Sequence, residues 1–298
     1  MRKNWFMLCL GLLLSLPLWG HVGSHPRIQQ IGMEIEAMES DPDGESPGLL
    51  ARLYQLRGEE YLVVRDWEKA LADFLRSRQL QPSGIRVSLP MARAYYERGE
   101  YEQALDEIDR YLHRYKNDDQ GLLLRSHILH ELGRYRDALR DLQGVLAKQS
   151  RSRPDIGLVL YRAELQGRLG EWSAALGGIR EAEAALGKLP VLETKRIELL
   201  RKQGDFDAAL AVLDPLLAQA QRKERWLLLK AQVLEQAGRL PEAKQQYQGV
   251  LDALDRLPAR LSRVPAMKKL RNLAQQGLMD GNTTKPSADT AVQPTGEQ

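Results

Sequence analysis

Asp66-Trp67-Glu68-Lys69-Ala70 sets an aromatic residue three positions before an alanine, and the chain repeats this pairing, with an aromatic or a leucine, five more times. The later pairs are Tyr101/Ala104, Tyr135/Ala138, Trp172/Ala175, Phe206/Ala209 and Leu240/Ala243. Successive alanines are separated by 34, 34, 37, 34 and 34 residues. A period of this length, with apolar residues recurring three and four apart, predicts a helix–turn–helix unit repeated six times. Neither helix of such a unit can bury its apolar stripe alone, so each repeat completes its core against the next.

Working outward, the small alanines mark helix crossings and large residues fill the space beside them. In the first repeat these are Tyr54, Gly58 and Tyr61 on one helix face and Ala70, Phe74 and Ser77 on the other. Ala92, Tyr95, Ala104 and Ile108 take those places in the second, and Ser126, Leu129, Ala138 and Leu142 in the third. The register continues through Ala163, Ala175 and Ile179, then Ile197, Ala209 and Leu213, then Ala231, Ala243 and Tyr247. Glycine precedes the second helix at Gly99, Gly133, Gly170, Gly204 and Gly238, where a short turn often needs a left-handed backbone. Ser150 to Pro154 absorbs the three extra residues as a lengthened loop, not a domain boundary. Pro90 is expected to delay or bend its helix, Pro215 to interrupt its own, and Gly177-Gly178 to weaken the helix that contains them.

Both flanks read as caps. Pro26 to Met38 carries Ile28, Ile31, Ile35 and Met38 on one face and ends at Asp41-Pro42-Asp43-Gly44. Pro265 to Leu273 reads as a last helix with proline in its first turn. From Gly277 the chain turns polar and is expected to be disordered. Residues 1–24 are then a signal peptide, 25–47 a capping helix and loop, 48–257 the six-repeat array, 258–276 a C-terminal cap and 277–298 a tail.

The signal reading rests on Arg2 and Lys3, a 15-residue apolar run from Trp5 to Trp19, and small residues at Gly20, Gly23 and Ser24. Cleavage is expected after Ser24, with Gly20 as the second choice. The run is short for a bilayer span of about 20 residues. An uncleaved inner-membrane anchor facing the periplasm is the alternative. The only cysteine, Cys9, lies in this run. The expected mature chain therefore has no disulfide framework and no thiol for catalysis. Two of the 43 basic residues and none of the 40 acidic ones precede residue 25, which leaves an excess of one positive charge. No nucleic-acid partner is expected without a concentrated basic face.

The pattern resembles the tetratricopeptide repeat over residues 50–257, with Trp67, Ala70, Phe74, Pro82 and Gly99 among the residues that family keeps. Gly58-x-x-Tyr61 leading to Ala70-x-x-x-Phe74 and Pro82 is the most complete repeat. The resemblance implies an all-α solenoid, a right-handed superhelix of about six repeats with capping helices, whose inner surface grips a peptide or a partner's helix. Some subfamilies hold a C-terminal carboxylate with lysines and asparagines on that surface. The corresponding residues here are Gln55, Glu59, Leu89, Arg93, Leu123 and His127, which are not that clamp. The candidate groove is instead Arg93, Tyr96, His127, His130 and Arg168, suited to an acidic or polar segment with an apolar anchor. His127 and His130 lack a third ligand, no phosphate loop or nucleophile elbow occurs, and no enzyme activity, metal or cofactor is expected. These features predict a scaffold or adaptor in the periplasm or outside the cell, partnered by envelope or secreted proteins. It would touch a membrane only if the N-terminal segment is uncleaved.

Overall fold

The computed structural model describes residues 25–40, 47–148 and 153–283. The expected export signal, the turn at Asp41–Gly44, most of the loop before Pro154 and the end of the tail lie outside them. The described residues are all-α and contain no strand. They fall into two compact units that divide between Leu186 and Gly187, after the fourth repeat.

The first unit opens with α1 (Pro26–Glu39), which packs on α2 (Pro47–Val63) through Ile31 and Ile35. Helix α2 pairs with α3 (Trp67–Leu80). The next pairs are α4 (Ser88–Arg98) with α5 (Tyr101–Arg114), and α6 (Asp119–Glu131) with α7 (Tyr135–Leu146). The fourth pair is α8 (Ile156–Arg168) with α9 (Trp172–Leu186). Each second helix also packs on the first helix of the next repeat, so the core runs continuously through this unit. In the second unit α10 (Pro190–Gln203) pairs with α11 (Phe206–Gln219), and α12 (Glu224–Gln236) with α13 (Leu240–Asp255). The short α14 (Ala259–Ser262) leads into α15 (Pro265–Thr283), which covers α13 and α12.

Local chemistry explains the starts and stops. Asp66 accepts a hydrogen bond from the Lys69 amide, and Asp118, Asp155 and Asp205 cap α6, α8 and α11 in the same way. The turn glycines adopt positive φ, 79° at Gly99 and 87° at Gly204. In the first repeat Arg65 occupies that place at φ 62°, the single non-glycine residue with positive φ among those described.

The core repeats with the sequence. Phe74, Ile108, Leu142, Ile179 and Leu213 occupy one register position and are fully buried, and Tyr247 follows at 3% exposure. Beside them Ala70, Ala104, Ala138, Ala175, Ala209 and Ala243 are buried at the helix crossings. Arginine–aspartate bridges tie helices within repeats. Arg57 donates two hydrogen bonds of 2.7 Å to buried Asp73, and Arg125 donates two to buried Asp141 and a third to Asp109.

Four local expectations meet a different outcome or gain a reason. Pro215 does not interrupt α11, which runs through it; the Ala211 carbonyl deprived of its donor is in an exposed residue, where water can serve it. Pro90 falls in the first turn of α4, after a 3-10 turn at Ile85–Val87, where a missing amide leaves no bond unmade. Gly178 lies under the Arg162 guanidinium, where an added Cβ would be 2.4 Å from Nη2, the movable end of a flexible side chain that rests on this face of the helix. The last helix does not end before Gly277 but continues to Thr283. At Gly277 an added Cβ would come within 2.3 Å of the Tyr247 ring. The glycine that looked like the start of a tail is a close helix contact.

Candidate partner-binding face

The candidate residues lie on the first helices of repeats two to four, all within the first unit. Arg93 and Tyr96 are one turn apart on α4, His127 and His130 one turn apart on α6, and Arg168 ends α8. Helix spacing puts each pair on one face. Three of the five, His127, His130 and Arg168, are joined through the rings of Tyr161 and Tyr135, and Tyr96 pairs separately with Tyr101. His127 stacks on Tyr161 at 4.4 Å between ring centroids, and His130 stacks on the same ring at 5.8 Å. His130 also meets Tyr135 edge-on at 5.5 Å. The Arg168 guanidinium sits over Tyr135 at 5.9 Å and donates to Glu164 at 2.8 Å. Tyr96 tilts against Tyr101 at 5.8 Å. Arg93 stands apart from these ring contacts, exposed and without an ion pair among the described residues.

The cluster is held from beneath. Buried Ser126 donates to the Ala138 carbonyl at 2.8 Å, and its hydroxyl lies 3.1 Å from that of Tyr161. Tyr161 is thereby fixed to the helix crossing of the third repeat, and the two histidines rest on it.

Electrostatics set what these groups can do. Burial pushes the His127 imidazole down to about 4, with His130 adding to the effect. His130 is also lowered, chiefly by burial. Both rings are therefore neutral near pH 7 and offer aromatic surface and hydrogen bonds rather than positive charge. Burial raises the Tyr96 and Tyr161 phenols, with the Glu131 carboxylate adding to both, so both stay protonated and can donate. Arg168, paired with Glu164, lays its guanidinium over the Tyr135 ring at one side. The arrangement can clasp a flat or aliphatic side chain and hydrogen-bond a polypeptide backbone. Among the described residues no three His, Cys, Asp or Glu are arranged to hold a metal. None of their helices is long and apolar enough to cross a membrane.

Sequence reading missed Tyr161 and Glu164 and treated Tyr101 and Tyr135 only as packing residues. Tyr161 precedes Arg168 by seven residues, two turns on one helix face. That spacing is the signal it left. Repeat arithmetic hid it, because its counterparts in the preceding repeats are Leu124 and Pro90.

The tetratricopeptide-repeat family model matches residues 56–121 and 194–258. A comparison with curated proteins found no match. Solved structures match widely. A tetratricopeptide-repeat protein from Parabacteroides merdae is 15% identical, with 84% of this chain and 100% of that chain covered and a TM-score of 0.52. YrrB, described as having an unusual peptide-binding site, is 16% identical, with 64% and 92% covered and a TM-score of 0.51. The C-terminal part of a repeat protein from Cytophaga hutchinsonii is 13% identical, with 78% and 96% covered and a TM-score of 0.55. At these identities the structures speak for the fold alone. With the register of six repeats, the paired helices and the match of the family model over these two stretches, the described residues have the fold of tetratricopeptide-repeat proteins.

Proposed function

We propose that the chain is a non-enzymatic scaffold or adaptor, acting in the periplasm or outside the cell, that binds a peptide or partner protein on the first-helix face of repeats two to four. Tetratricopeptide-repeat proteins generally mediate protein–protein interactions, and the fold is typically a non-catalytic scaffold. The observation that carries the reading is the cluster of His127, His130, Tyr135 and Tyr161 with Arg168, with the Tyr96–Tyr101 pair on the neighbouring repeat. Rigid, half-buried aromatic side chains beside an arginine are the residue types that dominate binding energy at protein interfaces. Envelope or secreted proteins are the partners expected if Trp5–Trp19 directs export.

A second reading, an assembly component of an envelope complex held by an uncleaved anchor, rests on the same apolar run. Large exposed hydrophobic residues would gather on one face for stable assembly. Among the described residues five of the eight large exposed hydrophobics, Met33, Leu49, Val63, Val64 and Leu75, lie between the start of α1 and the end of α3.

The test is affinity capture by the tagged full-length chain from the envelope fraction of its own host, with N-terminal sequencing of the recovered protein. The adaptor reading expects a new N-terminus near His25 and a stoichiometric partner lost when Tyr96 and Tyr161 are changed to alanine. An intact N-terminus in the membrane fraction, with partners indifferent to those changes, would replace it with the anchored assembly part.

A further inference from the structure

A cleft of about 350 Å3 opens between the first and second repeats. It is lined by Arg52 and Gln55 of α2, by Gln81 and Ser83 after α3, and by Arg86 and Tyr115. Arg52 and Arg86 are 34 residues apart and so occupy one register position in successive repeats. Elsewhere in this unit many arginines are neutralised by carboxylates, as at Arg57–Asp73, Arg78–Glu107 and Arg125–Asp141. Among the described residues Arg52 and Arg93 have no carboxylate partner, and Arg86 donates only to the neutral Tyr115 hydroxyl, at 3.3 Å. Gln55 donates to Glu59 and thereby occupies the nearby acid on its own helix.

Resting on the reading above, we infer that this cleft takes a carboxylate of the bound polypeptide, and that Arg52 and Arg86 bind it. Guanidinium groups match a carboxylate through paired hydrogen bonds, and the Gln81 amide and Ser83 hydroxyl add neutral donors. Leu89, Arg93 and Tyr96 follow one another at steps of four and three along α4, and Arg86 stands in the 3-10 turn that leads into it. Two residues of that turn and eight of helix separate Arg86 from Tyr96, about 16 Å along the axis. An extended chain covers that in roughly five residues. The bound segment therefore carries an acidic group about five residues from an apolar or aromatic anchor, with Arg93 passing between them.

The experiment uses the full-length chain labelled with nitrogen-15, following arginine side-chain resonances by NMR at low salt. The main probe is an acetylated, amidated peptide with one glutamate and one tyrosine five positions apart, made in both orders. A glutamine analogue and a peptide whose only carboxylate is its free C-terminus are titrated beside it. The inference expects saturable shifts, lost in the glutamine analogue and weakened at least about tenfold by Arg52→Gln or Arg86→Gln. The free-terminus peptide then shows whether a chain end serves as the source in place of a side chain. Binding equal for glutamate and glutamine peptides, or untouched by both arginine changes, overturns it. If those arginine changes do nothing while capture of the native partner still depends on Tyr96 and Tyr161, the cleft inference fails and the adaptor reading stands. If glutamate-dependent binding holds but capture ignores Tyr96 and Tyr161, the adaptor reading fails and the cleft inference stands.

Discussion

Gly58→Ala is expected to destabilise the first unit, although glycine to alanine in a helix normally does the opposite. Gly58 is buried inside α2 with helical backbone, so alanine would by itself gain up to about 1 kcal/mol. An added Cβ would stand 2.5 Å from Phe74 Cε1 and 2.8 Å from Cδ1, about an ångström inside ordinary contact. Phe74 is fully buried and packed with Ala70, Val87 and Met91, so its ring has nowhere to withdraw. Overpacking of this kind costs about 1–3 kcal/mol, and subtracting the full propensity gain leaves a net loss of up to about 2 kcal/mol. Gly177→Ala is the matched control. It lies inside α9 with nothing within 4 Å of an added Cβ, and should stabilise by about 0.5–1 kcal/mol. Urea and thermal melts followed by circular dichroism on the full chain read both, with the two Tm values moving in opposite directions by a few degrees. If Gly58→Ala melts at or above the wild type, the close α2–α3 crossing described here is wrong.

Three further outcomes follow from the same contacts. Ala138→Phe should lower the melting temperature by overpacking the fully buried crossing whose carbonyl Ser126 bonds, and coincident melts would refute that placement. Arg125→Met leaves buried Asp141 without its bidentate partner and should cost about 2–3 kcal/mol in urea titrations; a loss below about 0.5 kcal/mol would mean the bridge is idle. His127 is held down to about 4 in the folded chain against about 6.5 unfolded, so the unfolded chain takes up the extra proton first and stability falls as pH drops through that window. His127→Gln should shrink the difference in urea midpoint between pH 7.5 and pH 5, and an unchanged difference would remove His127 as its source.

The repeat architecture was legible because it is written six times in residue sizes. A residue too small for its helix face, followed at fixed distance by one that fills the gap, states a helix crossing without any knowledge of the partner, and Ala104 with Ile108 is a clear case. The exceptions were harder. Pro215 and Gly277 read as breakers from composition, whereas solvent access at Ala211 and the Tyr247 ring decide what they do.

The candidate face was legible only in part, and the division follows from range. Helix periodicity relates residues three, four or seven apart, so Arg93 with Tyr96 and His127 with His130 could be paired from the sequence. Tyr161 reaches the two histidines from a different repeat, and its contact with Ser126 spans 35 residues. That Arg52 and Arg86 have no carboxylate partner among the described residues is likewise a tertiary fact, since a list of charges shows how many carboxylates exist but not which arginines they reach. Sequence alone determined the helices, their pairing and the repeat register, because those depend on local spacing and side-chain size. Tertiary structure decided which polar groups were consumed by packing and which were left facing outward, because burial and ion pairing depend on neighbours far away in the chain.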